Sequence, residues 1–136
     1  MEPSIQNITW QAYGTLVHRL AKQVRSSGRE YDNVYGVPRG GLPAAVGLSH
    51  ALQLPLIVDE RELTKRTLVV DDIADSGKTL TELLERAPGV DTAVLHKRYT
   101  TTHEPTHYAQ AIMDDAWINY PWENVANETI ATGAQR

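Results

Sequence analysis

The sequence predicts an α/β domain, a mainly parallel and twisted sheet flanked by helices. Three observations carry that prediction. Short β-branched apolar runs alternate with helical segments along the chain, and strands joined through helices lie parallel. Two of these runs, Asn33 to Val37 and Leu68 to Val70, lead into polar, glycine-bearing loops that open the next helix. An acid pair, Asp71-Asp72, follows the second run, at the strand end where open α/β sheets bind ligands.

Thr9 is the expected N-cap of a first helix in which Trp10, Tyr13, Leu16, Val17, Leu20 and Val24 recur at helical spacing, until Ser26-Ser27-Gly28 stops it. Asn33 to Val37 reads as a strand, Pro38-Arg39-Gly40-Gly41 as its loop, and Leu42 to Leu52 as the following helix. Leu54 to Val58 is a third short strand, joined to the run at Thr67 by eight charged and polar residues, Asp59 to Arg66. After a helix from Thr79 to Arg86, Pro88-Gly89 marks a turn. Asp91 to His96 is a strand ending at Lys97-Arg98, Tyr99 to Pro105 a threonine-rich loop, and His107 to Met113 a final strand. Asn124 to Arg136 is polar and aperiodic, as a frayed tail would be.

A chain of 136 residues, 41% hydrophobic, supports one domain with one core. Thirteen basic and seventeen acidic residues give 13 − 17 = −4, a balance that attracts neither nucleic acid nor an anionic membrane. The absence of cysteine removes disulfides, thiolate catalysis and zinc–thiolate sites together. Met1-Glu2-Pro3-Ser4 has no basic n-region or apolar h-region, and no apolar run approaches the roughly 20 residues of a membrane span. A cytoplasmic protein is expected.

The chemistry concentrates between Thr67 and Leu80. Ser76, Gly77, Lys78 and Thr79 would present backbone N–H groups at a helix N-terminus beside two hydroxyls, which suits a phosphate monoester. Asp71 and Asp72 cannot bind that phosphate and instead suit cations or sugar hydroxyls. Gly77-Lys78-Thr79 ends like a P-loop, but Asp72 stands where that pattern needs glycine. Arg39 with the N–H groups of Gly40 and Gly41 makes a second candidate anion site. The active face should gather Arg39, residues 71–79 and Lys97 at the strands' carboxyl ends. Trp117 and Trp122 lie close together near the C-terminus, where either could stack on a flat heterocycle or fill a core.

Val69-Val70-Asp71-Asp72-Ile73-Ala74-Asp75-Ser76-Gly77-Lys78-Thr79 resembles, without a gap, the phosphoribosyl-pyrophosphate (PRPP) motif of type I phosphoribosyltransferases. Trp117-Ile118-Asn119-Tyr120-Pro121-Trp122-Glu123 is similar to the W-I-x-x-P-W-[DE] segment of the bacterial xanthine–guanine members. The resemblance implies a Rossmann-like domain over residues 1–123, with residues of about 97–123 forming a small C-terminal base-binding hood. It implies transfer of a phosphoribosyl group from PRPP to a 6-oxopurine, with Mg²⁺, in a cytoplasmic homo-oligomer, dimer or tetramer.

Roles follow by the same resemblance. Asp71 and Asp72 hold the ribose hydroxyls and the metal, Ser76 to Thr79 the 5′-phosphate, and Arg39, Gly40 and Gly41 the pyrophosphate, across a peptide bond into Arg39 that is often cis. Asp75 accepts the purine N7 proton, Lys97 donates to the 6-oxo group, Trp117 stacks on the base, and the backbone beside Ile118 reads the ring edge. One departure stands out: relatives carry a long mobile lid where this chain has only residues 59–66. A non-catalytic PRPP- or nucleotide-binding regulatory module on the same fold is therefore the alternative.

Overall fold

The computed structural model describes residues 4–124, so the tail expected beyond them lies outside the described residues. The chain runs β1 (Ile5–Asn7), α1 (Trp10–Ser26), β2 (Asn33–Gly36), α2 (Gly41–Leu52), β3 (Leu56–Ile57), β4 (Thr67–Ala74), α3 (Lys78–Arg86), β5 (Asp91–Arg98), β6 (His107–Ile112) and β7 (Trp117–Asn119). Five strands form one sheet in the order β3-β2-β4-β5-β6, every pairing parallel. The α/β class with a flanked parallel sheet is therefore correct. Among the described residues no helix is long and apolar enough to cross a membrane.

Local chemistry explains the boundaries. The Thr9 hydroxyl accepts a 3.0 Å hydrogen bond from the Ala12 amide and caps α1, whose buried Leu16, Val17, Leu20, Ala21 and Val24 form its core stripe. The third strand is shorter than expected. The Leu54 amide donates to the Ser49 carbonyl and the Ser49 hydroxyl to the Leu54 carbonyl, which ties that residue to the end of α2 and leaves Leu56 and Ile57 to pair. The fourth strand is longer than its apolar run: it carries through Asp71 and Asp72, read from sequence as the strand's carboxyl end, to Ala74.

The sheet is covered on both faces. Leu20, Leu48, Val34, Leu68, Val70, Ala93 and Leu95 share a core beneath α1 and α2. Val69, Val94, Leu80 and Leu83 share another beneath α3. Strands buried on both faces must be apolar almost throughout, and the Leu68-Val69-Val70 run meets that demand.

A second, two-stranded sheet pairs β1 with β7 in parallel, Ile5 opposite Trp117 and Asn7 opposite Asn119. The sequence reading took His107 to Met113 as the final strand and foresaw neither β7 nor β1. All three of its residues are exposed, so it carries no hydrophobic pattern and owes its conformation to pairing alone. The Ile8 amide donates to the Asn119 carbonyl at 2.8 Å, and the Asn119 side-chain amide to Asn7 at 3.0 Å, so the chain's beginning holds its C-terminal hood.

Candidate active site

A cleft of about 500 Å³ opens at the carboxyl ends of β2 and β4. Its lining brings together Arg39 and Gly40, the run from Asp71 to Thr79, and Trp117, Trp122 and Glu123 from the hood. That size and mixture of apolar walls with convergent polar groups suit a small ligand.

Asp71 and Asp72 are each 8% exposed. One Asp71 oxygen accepts from the Asp72 amide and one Asp72 oxygen from the Ile73 amide, both at 2.8 Å. Glycine supplies the room around them. A Cβ on Gly40 would collide with the Asp72 carboxylate, and one on Gly41 would stand 2.6 Å from the Val70 carbonyl and 2.9 Å from Asp71 Cα. Gly41 thus works by packing against β4. Its amide already donates to the Val37 carbonyl at 2.8 Å, and Gly41 is not among the cleft's lining residues. The Pro38–Arg39 peptide bond is cis.

The turn into α3 is built on Gly77, whose φ of 92° lies in the left-handed region that glycine adopts without cost. The Lys78 amide meets the Ser76 hydroxyl at 3.2 Å, and Lys78 and Thr79 follow as the helix's first turn, where amides have no intrahelical acceptor. A neighbouring loop grips this turn. The Thr102 amide and hydroxyl both donate to the Ser76 carbonyl at 2.9 Å, and a Cβ on Gly77 would lie 2.6 Å from the His103 amide nitrogen and 2.8 Å from the Thr101 and Thr102 hydroxyls. His103 is anchored in turn by Thr92, 2.8 Å away, and burial pushes its imidazole pKa below the ordinary value. The sequence marked 99–105 only as a threonine-rich loop, and nothing local to it indicates what it touches.

The hood supplies the remaining wall. Trp117 begins β7 and lines the cleft, whereas Ile118 is fully buried behind it. Trp122 also lines the cleft and stacks on Tyr120, with ring centroids 4.9 Å apart and planes 4° from parallel, beside Trp10 and Tyr13. Tyr120 is itself fully buried. Its hydroxyl lies 2.7 Å from His96 Nδ1 and donates to the Asp72 carbonyl at 3.1 Å, joining hood to acid pair. Ile73 presents a further apolar wall that the sequence reading did not single out.

Two cations at the end of β5 behave differently. Lys97 does not line the cleft: its ammonium meets Glu104 at 2.6 Å and sits 5.0 Å above the Tyr108 ring. Arg98, unmarked in the sequence beyond its place after Lys97, is buried and donates to Asp75 Oδ1 at 2.9 Å. The segment 59–66 also stays away from the cleft. Residues Glu60–Glu62 form a single 3₁₀ turn, with Asp59 bonded to Arg61 and Glu60 bridged to Arg86 of α3 at 2.6 Å.

No family model matches the chain. The xanthine-guanine phosphoribosyltransferase of Idiomarina loihiensis is 22% identical over 138 residues, covering 85% of this chain and 85% of its own. The structure of a purine phosphoribosyltransferase from Pyrococcus horikoshii superposes with a TM-score of 0.76 at 29% identity, covering 93% of this chain and 98% of that one. The xanthine-guanine-hypoxanthine phosphoribosyltransferase of Helicobacter pylori gives 0.74 at 20% identity, with 93% and 97% covered, a likeness of fold.

Proposed function

We propose that this chain, a type I phosphoribosyltransferase, transfers the 5-phosphoribosyl group of PRPP to a 6-oxopurine (guanine, xanthine or hypoxanthine), yielding the nucleoside 5′-monophosphate and pyrophosphate. The observation that carries the reading is one cleft of about 500 Å³ lined together by a glycine-bearing turn at a helix start, an acid pair and an indole. A ligand with a phosphate at one end, a diol in the middle and a flat ring at the other satisfies all three.

In this reading Ser76, Gly77, Lys78 and Thr79 hold the 5′-phosphate through helix-start amides, the two hydroxyls and the Lys78 charge. Remote binding of that kind fixes the reacting carbon in place. Arg39, with the Gly40 backbone, faces the pyrophosphate. Asp71 and Asp72 hold the ribose hydroxyls, and they stabilise the positive charge that grows on the sugar as its C1–O bond breaks. Asp75 accepts the proton that the purine's N7 loses. The base lies against Trp117, with Ile73 as a second apolar surface.

Two carboxylates in one cleft also fit Mg²⁺, which takes one or two carboxylates and completes its shell with phosphate oxygens and water. Among the described residues there is no cluster of three or more acids or histidines that would hold it alone. When bound, the ion neutralises the leaving pyrophosphate. Lys97 donates to the 6-oxo group in this reading, for which its ammonium must leave Glu104. A cytoplasmic homo-oligomer, dimer or tetramer, belongs to the same proposal, and the exposed Ile5 and Trp10 on the hood side suit a subunit contact.

The test incubates PRPP and Mg²⁺ with guanine, xanthine, hypoxanthine or adenine and measures nucleotide and pyrophosphate. Formation with a 6-oxopurine is expected. Product with adenine alone would overturn the role of Lys97. A second reading, the non-catalytic binding module, is favoured by one observation: residues 59–66 are pinned to α3 and leave the cleft uncovered. Calorimetric binding of PRPP with no turnover for any base would select it.

A further inference from the structure

We infer that Arg98 is a positioning residue that sets the distance between the carboxylate of Asp75 and the ring of Trp117, and thereby the pose of the base. This rests on the proposed transferase reading and adds a specificity element to it.

The argument starts from burial. The Arg98 side chain is 6% exposed, and a guanidinium so withdrawn from water is tolerated when its N–H groups are satisfied. Three of its five N–H groups meet acceptors here. Nε donates to Asp75 Oδ1 at 2.9 Å, and Nη1 donates to the Asp114 carbonyl at 2.9 Å and the Ala116 carbonyl at 2.7 Å. Asp75 begins the phosphate turn on one side of the cleft, and Ala116 immediately precedes Trp117 on the other. One rigid planar group therefore ties the two walls between which a base would lie. The segment it grips is further shaped by its own turn, in which Asp114 Oδ1 accepts from the Ala116 amide at 3.0 Å.

Lysine cannot substitute. An ammonium is a point charge on a flexible stem, and it lacks the planar fork that reaches a carboxylate and two backbone carbonyls together. Arg98→Lys would keep a cation near Asp75 but release residues 114–116, so Trp117 would shift relative to Asp75. Misplacement on the scale of 1 Å costs about 10²-fold in rate. Arg98 hydrogen-bonds to none of Ser76, Gly77, Lys78 and Thr79, and the variant keeps a cation beside Asp75, so PRPP should be held as before.

The experiment measures kcat/KM for each purine and KM for PRPP, in wild type and Arg98→Lys, alongside melting temperature. Expected is a fall of about 10²-fold in kcat/KM for the purine with KM for PRPP within about twofold. Unchanged purine kinetics would overturn the inference, as would a parallel loss of both constants and of thermal stability, which is what a merely structural residue gives. Should the variant fail to fold, wild-type crystals with a bound purine monophosphate decide: the three Arg98 bonds must persist with the ring against Trp117, and a guanidinium released from either wall overturns the inference. Wild-type protein inactive with every purine would instead defeat the parent reading, so the two failures are distinguishable.

Discussion

Replacing Gly77 with alanine separates two costs that the structure assigns to one position. The first is conformational: at φ 92° an L-residue sits in the left-handed region, at about 1–2 kcal/mol. The second is steric, because the new Cβ would stand 2.6 Å from the His103 amide nitrogen, a backbone atom that cannot swing aside. Overpacking of this kind costs about 1–3 kcal/mol. Gly28 is the built-in control, since its φ is 74° with nothing within 4 Å of an added Cβ, so Gly28→Ala bears only the first cost. At about 4 °C per kcal/mol for a domain of this size, Gly77→Ala should melt roughly 8–20 °C lower and Gly28→Ala roughly 4–8 °C lower. Calorimetry with ribose 5-phosphate supplies a second readout. Displacing the turn should weaken binding about tenfold at Gly77, and Gly28→Ala should leave it unchanged. Equal melting losses in the two variants would refute the claim that the 101–103 loop closes around the turn at Gly77.

Three further outcomes are expected. Tyr120→Phe removes a fully buried hydroxyl from His96 and from the Asp72 carbonyl and should cost about 1–3 kcal/mol in urea denaturation; a loss below about 0.5 kcal/mol would contradict the bridge. Asp75→Asn should lower turnover with nucleotide binding largely kept, and unchanged single-turnover rates would remove Asp75 as proton acceptor. His103 and His107 both have their pKa lowered, first by burial, so the folded protein resists protonating them. The unfolded chain takes up those protons as pH falls through about 6.5, and stability should therefore decline below that pH and hold above it. Urea midpoints measured from pH 8 to 5 check this, and a midpoint that rises on acidification would contradict it. Substituting both histidines with glutamine should flatten the decline.

What was legible in the sequence was contiguous. The strand–turn–helix from Thr67 to Arg86 carries its apolar run, acids, glycine and helix start within twenty positions, so its chemistry can be read without knowing what lies across the sheet. The N-cap at Thr9 and the apolar stripe of α1 are local in the same sense. What escaped depends on partners remote in the chain. β1 is a strand only because β7 lies beside it, more than a hundred residues later. Thr102 matters only because the crossover from β5 to β6 passes Ser76. Arg98 looks like any strand-end cation until Asp114 and Ala116 come round to meet it. Gly41 showed its need for glycine in the sequence but not the reason, which is contact with the β4 backbone.

The acid pair shows how a local motif and a non-local ladder combine. Adjacent residues of a regular strand point to opposite faces, so two neighbouring carboxylates should not share one cleft. Along β4, Leu68 and Val70 join the core under α1 and α2 while Val69 joins that under α3, yet beyond the acids Ile73 belongs to the first core and Ala74 to the second. The alternation has slipped by one position between them. The ladders agree: β4 pairs with β5 at Asp71–Val94 and again at Ile73–His96, β5 pairs with β6 at Val94–Tyr108 and again at His96–Gln110, and both omit the row between. In that row the Asp72 amide, and in the next the Ile73 amide, is met by the carboxylate of the residue before it, each at 2.8 Å. Aspartate is suited to this because its short side chain reaches nearby backbone amides, as it does in turns. The same residue type thus compensates the interrupted ladder and supplies the charge in the cleft. Asparagine at either position keeps an acceptor for the amide while losing the negative charge, so Asp71→Asn and Asp72→Asn should fold with near-native stability and lose transferase activity, whereas leucine at either position should lose both.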